Sequence, residues 1–292
     1  MNTWIKGTRV RHNTKPEWGV GQLLEDANSA GLCIFFEGAG KKTLDIKTIS
    51  KLTLVTGPDA HSVHLDNLYL PGPDEKSHIE AMEDAKLHLE KNFPTGLHGE
   101  EMKDHERGYK DALCALAADW YDTETLKELM HAGQYAEVVE RAHRLVKHST
   151  NNFPSQFEKM AFGNGIKAHT RQREFAEAFC AWVLPEEATQ AAFEAFANEL
   201  DHLGCAKWPI LTAYRFLLHP HTDVLIKPEN LQKAAKQAWF EINYRSELKW
   251  PTYSKVMEFY NEHVRKKIAD LDPKDNIDVQ NFIWCTDPAQ YP

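Results

Sequence analysis

The chain has 292 residues, 42% hydrophobic and 26% charged, a globular balance with apolar side chains enough for a substantial core. No apolar run approaches the roughly 20 residues a bilayer span needs, residues 1–6 lack the pattern of a secretion signal, and five scattered cysteines without a CxxC pair argue against a disulfide framework or zinc ribbon and for a reducing cytoplasm. The net charge of −9 is uneven: residues 1–56 hold eight Lys/Arg against five Asp/Glu, leaving +3 there and −12 on the remainder. The bulk of the chain therefore repels phosphate backbones, and any polyanion contact falls to the N-terminal segment.

Period-two alternation predicts five short strands over 8–12, 18–25, 31–37, 41–46 and 51–55. Ile34 and Phe36 share one face, as do Leu44 and Ile46, and each pair can line a small core. Asp26–Gly31 has hairpin composition. Five short strands with tight turns suggest a small closed barrel, since closure leaves few open edges. Gly19 and Gly21 bracket Val20, where glycine permits a bulge or close backbone approach. Gly38 and Gly40 are expected to supply positive φ at a tight turn.

Breakers at Gly57-Pro58-Asp59 and Leu70-Pro71-Gly72-Pro73 mark residues 57–73 as a linker around a short apolar piece, Val63–Leu70. From Asp74 helical periodicity takes over, so the predicted class is α+β: an N-terminal all-β unit (1–56), the linker, and an α-helical domain (74–292). Ser155–Glu158 and Thr125–Glu128 both read as capping boxes. Trp208–Leu218 reads as an apolar helix, and Trp250–Leu271 as a one-sided helix with apolar residues every three or four positions. His219, His221 and Asp223 are potential metal ligands, but Pro220 between the histidines makes them a turn after the apolar helix. Glu106 and Lys110 stand four apart, the spacing of a helix ion pair. Cys114 and Cys180 fall on apolar helix faces and read as packing residues. Leu200–Trp208 pairs two helices around Gly204, an arrangement that a simple helix stop explains. No nucleophile elbow, Walker loop or Rossmann fingerprint is present, and no catalytic residue, metal site or cofactor is nominated.

Gly7-x-x-Val10-x-His12, Trp18-Gly19-Val20-Gly21 and Ile34-x-Phe36-x-Gly38-x-Gly40-Lys41-Lys42-x-Leu44 together resemble small Tudor-like (SH3-like) barrels. Similar segments form the C-terminal tail of UvrD/PcrA-type helicases, CarD-type domains are looser relatives, and small bacterial barrels of unassigned function resemble it most. The resemblance covers residues 4–56, and the helical body resembles an uncharacterised bacterial family. It implies a docking module, in the better-known relatives for RNA polymerase; no helicase motor accompanies it here. Arg9 and Arg11 flank core-facing Val10 and share the outer face, where Trp18, Phe35, Lys41 and Lys42 can join them. Arginine with aromatic residues suits a protein interface and also phosphate contact with base stacking. The alternative is that Trp18 plugs the barrel's end and the lysines are solvated edge residues. The expected function is a cytoplasmic, non-catalytic adaptor with a protein partner such as RNA polymerase, nucleic acid being the weaker candidate and a membrane excluded. The competing class is an enzyme with its active site in the helical body.

Overall fold

The computed structural model of the protein describes residues 4–72 and 76–292; the expected limits of the linker at Pro73 and of the helical body at Asp74 lie outside them. The chain divides into two compact units, Met1–Lys86 with Ala234–Glu241, and Leu87–Lys233 with Ile242–Pro292. An antiparallel sheet at the N-terminus is followed by a mostly helical body, so the class is α+β.

The alternating pattern produces β1 Arg9–His12, β2 Val20–Leu23, β3 Leu32–Phe36, β4 Gly40–Leu44 and β5 Leu52–Leu54. Their order is β4-β3-β2-β1-β5, a four-strand meander whose fifth strand returns beside the first. Val10 pairs with Gly21, and Gly21 with Phe36. One face therefore gathers Val10, Leu23, Leu32, Ile34, Phe36 and Leu52 into a buried cluster. Ile46 does not continue the fourth strand beside Leu44. The Asp45 side chain accepts from the Lys47 N–H at 2.8 Å, and that cap starts the 3-10 helix Ile46–Lys51, leaving Ile46 partly exposed.

Gly21 is a close-approach glycine: a Cβ there would lie 2.6 Å from the Phe36 ring and 2.9 Å from Ile34, so its absence lets two core side chains meet over the strand. Gly38 departs from expectation. It is not among the positive-φ glycines, which include Gly40 at +67°. What excludes a side chain at Gly38 is the Glu17 carbonyl oxygen, which a Cβ would approach to 2.3 Å.

Residues 57–72 carry structure of their own, the 3-10 helix Gly57–Ala60 and the one-turn helix Val63–Asp66. Ser62 caps the latter, its hydroxyl accepting from the Leu65 N–H at 3.1 Å. Leu65 packs with Val20, Phe35 and Trp239 on the second face of the sheet. The backbone holds Trp239 there: Tyr69 N–H donates to its carbonyl at 3.0 Å, and Glu241 N–H donates to the Asn67 carbonyl at 2.7 Å.

In the helical unit, Trp208–Leu218 is mostly apolar and buried on every side from Trp208 to Leu217, the signature of a central helix. Trp182 Nε1 donates to the Leu211 carbonyl and Tyr214 OH to that of Ala142, each at 3.0 Å, so the bulkiest core residues also satisfy their polar atoms. Both halves of the Ser155–Glu158 capping box form. The box expected at Thr125 does not, because Asp122 accepts from the Thr125 N–H at 2.9 Å and starts the helix Thr123–His131 earlier. The stretch expected as one helix from Trp250 to Leu271 begins as Trp250–Glu258, widens into a π-helical turn at Phe259–Val264, and continues as Arg265–Lys267 and Ala269–Leu271. Tyr253, Val256, Tyr260, Val264 and Ile268 stay buried through it. Gly204, at φ +68°, ends Gln190–His202 with its N–H bonded to the Asp201 carbonyl. No helix among the described residues is long and apolar enough to cross a membrane.

Candidate functional site

The strand pleat puts Arg9 and Arg11 on the face opposite Val10. Arg11 is exposed. Arg9 donates to Asp66 at 2.7 Å, so its charge is answered within the chain. Phe35 does point away from Ile34 but does not reach the surface. It is fully buried, with His78, His64 and Trp239 rings packed on it at centroid distances of 4.9, 5.4 and 5.6 Å. The expectation of an exposed Phe35 is therefore corrected: an apolar ring on an otherwise open sheet face gains too much by being covered.

Lys41 and Lys42 cannot share a face, being adjacent in β4. Lys41 pairs with Phe35 and is exposed, whereas Lys42 pairs with Ile34 on the core side. Lys42 Nζ lies 6.0 Å from the Trp18 ring centroid. Trp18 itself is half-buried, packed on the sheet core with His12 and Phe36 each 5.0 Å away. It plugs the core while keeping an edge exposed. The structure thus brings Trp18 and Lys42 together, with Arg11 and Lys41 on the opposite face on nonadjacent strands.

The helical unit holds three buried ionic centres. Arg215 and Asp223, both essentially inaccessible, pair through Nε at 2.6 Å and Nη2 at 2.9 Å. The remaining Arg215 donors go to the carbonyls of Trp182, Pro185 and Glu186, and Tyr253 OH adds a bond to Asp223 at 2.5 Å. Asp223 is thus consumed by a saturated structural network, while the turn closes through Thr222 and Asp223 N–H bonds to the His219 carbonyl. Arg107 clamps Asp275 and Asp278 at the start of Asn276–Cys285, at 2.7 Å each.

The third centre is different. Glu106 sits in a π-helical turn, Lys103–Arg107, a feature that recurs at functional sites. The predicted Glu106–Lys110 pair forms at 2.9 Å, but it is buried rather than solvated. Lys110 Nζ also donates to Asn281 Oδ1 at 2.5 Å, and Tyr291 OH to Glu106 Oε1 at 2.6 Å. Burial pulls the Lys110 ammonium below its usual range against the opposing pull of Glu106, while burial and the same carboxylate push the Tyr291 phenol up. Helix spacing could reveal Glu106 with Lys110; nothing in a single sequence brings Asn281 and Tyr291 to them.

Between Gln172–Val183 and Gln190–His202 runs an open groove of ≈ 550 Å³, lined by Ala178, Ala181 and Ala195 with Glu174, Glu177 and Asp201 among its charged residues. Its acidic lining disfavours phosphate backbones. Among the described residues no group of three or more His, Cys, Asp or Glu is placed to hold a metal ion.

In comparisons with known proteins, no curated protein and no solved structure matches the chain. Residues 5–55, the span of the five strands, match the model of a family described as a protein of unknown function (DUF3553).

Proposed function

We propose that the chain is a non-catalytic interaction protein whose N-terminal sheet serves as a Tudor-like (SH3-like) barrel, docking it to RNA polymerase or another protein of a nucleic-acid-processing complex. The functional division into a docking unit at 1–56, a linker at 57–73 and a helical domain at 74–292 belongs to the same proposal. The observation that carries it is connectivity: a four-strand meander, a 3-10 turn, and a fifth strand returning beside the first, the chain path of SH3-like barrels. Arg11 and Lys41 would supply exposed cationic contacts, and Trp18 with Lys42 an aromatic–cationic rim. Arg9 and Phe35 would act from within, through Asp66 and the covering rings. A surplus of +3 on residues 1–56 is a weak footprint for a polyanion, which favours a protein partner.

The test uses the full chain and purified bacterial RNA polymerase. Arg11→Glu with Lys41→Glu should abolish binding without unfolding the protein, because exposed charges contribute little to stability. Binding should weaken only shallowly with salt, as an interface with an apolar centre does. Undiminished binding by the double variant would refute these contacts, and tight, steeply salt-dependent binding to DNA instead would move the function to nucleic acid. A second reading, an enzyme with its site in the helical unit, draws on one observation, the buried Lys110 held between Glu106 and Asn281.

A further inference from the structure

The Lys110 centre has more donors than it has acceptors. An ammonium offers three N–H bonds; Lys110 spends two, on Glu106 and Asn281, and beyond these has the Tyr109 ring, 5.1 Å away, but no third oxygen acceptor among the described residues. Lysine can only donate, so Asn281 must turn its oxygen toward it, and flipping the amide would set donor against donor. That choice fixes the other end of Asn281. Its Nδ2 is fully buried and has no hydrogen-bond partner among the described residues, a rare condition for a buried amide.

A second lysine stands nearby. Lys227 is within electrostatic reach of Lys110 and Glu106, and burial together with the Lys110 charge lowers its ammonium. Its Nζ lies 4.3 Å from the Trp284 ring centroid and donates to the Asn152 carbonyl at 3.4 Å. The carboxylate touching Lys110 is Glu106, and its second oxygen is taken by Tyr291. Glu158 also acts on Lys227, so what the centre keeps is unspent N–H donors, on Lys110 and on Asn281.

We propose that this centre is a binding site for a small carboxylate, whose oxygens accept from Asn281 Nδ2 and Lys110 Nζ while Lys227 supplies the second positive charge. The two oxygens of a carboxylate can accept from both donors at once. Tyr291 stands over Glu106, its ring 5.1 Å from that of Phe93 and its carbonyl oxygen 2.6 Å from His88 Nε2, so entry requires this side chain to move. The site does not depend on the docking role of the sheet.

Thermal unfolding of the full chain in sodium acetate, in sodium chloride of equal ionic strength and in inorganic phosphate tests it. Acetate should raise the midpoint saturably beyond chloride, since a ligand that binds only the folded state stabilises it. Lys227→Met should weaken the acetate response about tenfold, the worth of one charged contact. Asn281→Asp, which keeps the shape but replaces the donor with a negative oxygen, should abolish it. Equal responses to acetate and chloride overturn the proposal, as does a stronger response to phosphate or one that survives both substitutions. Should Asn281→Asp fail to fold, the half-buried Lys227→Met decides.

Discussion

Removing the carboxylate of Asp223 is the sharpest probe of how the helical unit is held together. Asp223→Ala leaves Arg215 buried with three carbonyl partners but no counter-charge, and it strips the acceptor from Tyr253 OH. Breaking a buried pair on one side costs about 3–5 kcal/mol, most of it the penalty of an uncompensated charge. Folded domains hold only about 5–15 kcal/mol in total, so a large share of the stability is at stake. For a unit of roughly 200 residues, each kcal/mol moves the midpoint by about 2–4 °C, giving an expected fall of about 6–20 °C. Circular dichroism at 222 nm during heating reads it directly. The double variant Arg215→Met/Asp223→Leu should recover much of the loss, because it leaves no orphaned charge. A midpoint within 2 °C of the parent for Asp223→Ala, or a double variant as unstable as the single, would refute the assignment of Arg215–Asp223 as a mutually dependent pair.

Acid should destabilise the protein through its low carboxylates. The Thr125 N–H holds Asp122 below its ordinary value of 3.8, and Lys147 holds Glu140 below 4.5. The unfolded chain binds more protons between the folded and unfolded values, so this stability is present above the unfolded values and is lost as pH falls through the lower, folded ones. Melting temperatures should therefore drop below about pH 4, and Asp122→Ala should remove part of that slope; an unchanged acid slope in the variant would count against the cap. Thiol labelling checks the core independently. Burial pushes Cys114, Cys180 and Cys205 up to about 12 and Cys285 higher still, so at pH 8 an aromatic disulfide reagent should modify the partly exposed Cys33 first. The buried Cys180, Cys205 and Cys285 should react only in denaturant, and rapid native labelling of Cys205 would contradict the packing.

Local signals carried far into this fold. Alternation located every strand of the sheet, and the apolar run at Trp208–Leu218 located the central helix, because burial on one face or on all faces leaves a period in the sequence. Local chemistry also misled. Asp45 and Asp122 each placed a cap that alternation and the serine/threonine–glutamate spacing did not anticipate. What escaped entirely was long-range pairing. Phe35 looked free because Trp239 lies far along the chain, and Glu106–Lys110 read as an ordinary helix ion pair because neither Asn281 nor Tyr291 is near in sequence. An i,i+4 spacing predicts the contact and says nothing of its depth.

The covering of Phe35 has a consequence for the five strands taken alone. The family match ends at residue 55, whereas Leu65 and Trp239, which close the second face with Val20, come from beyond it. The five strands by themselves are therefore an unfinished surface, a seat that later segments of this chain must fill. Here the seat is taken by the host. Residues 4–56 expressed alone would show a sticky aromatic face that the whole protein never presents, and ligands captured by such a fragment would be guests of the missing segments' place.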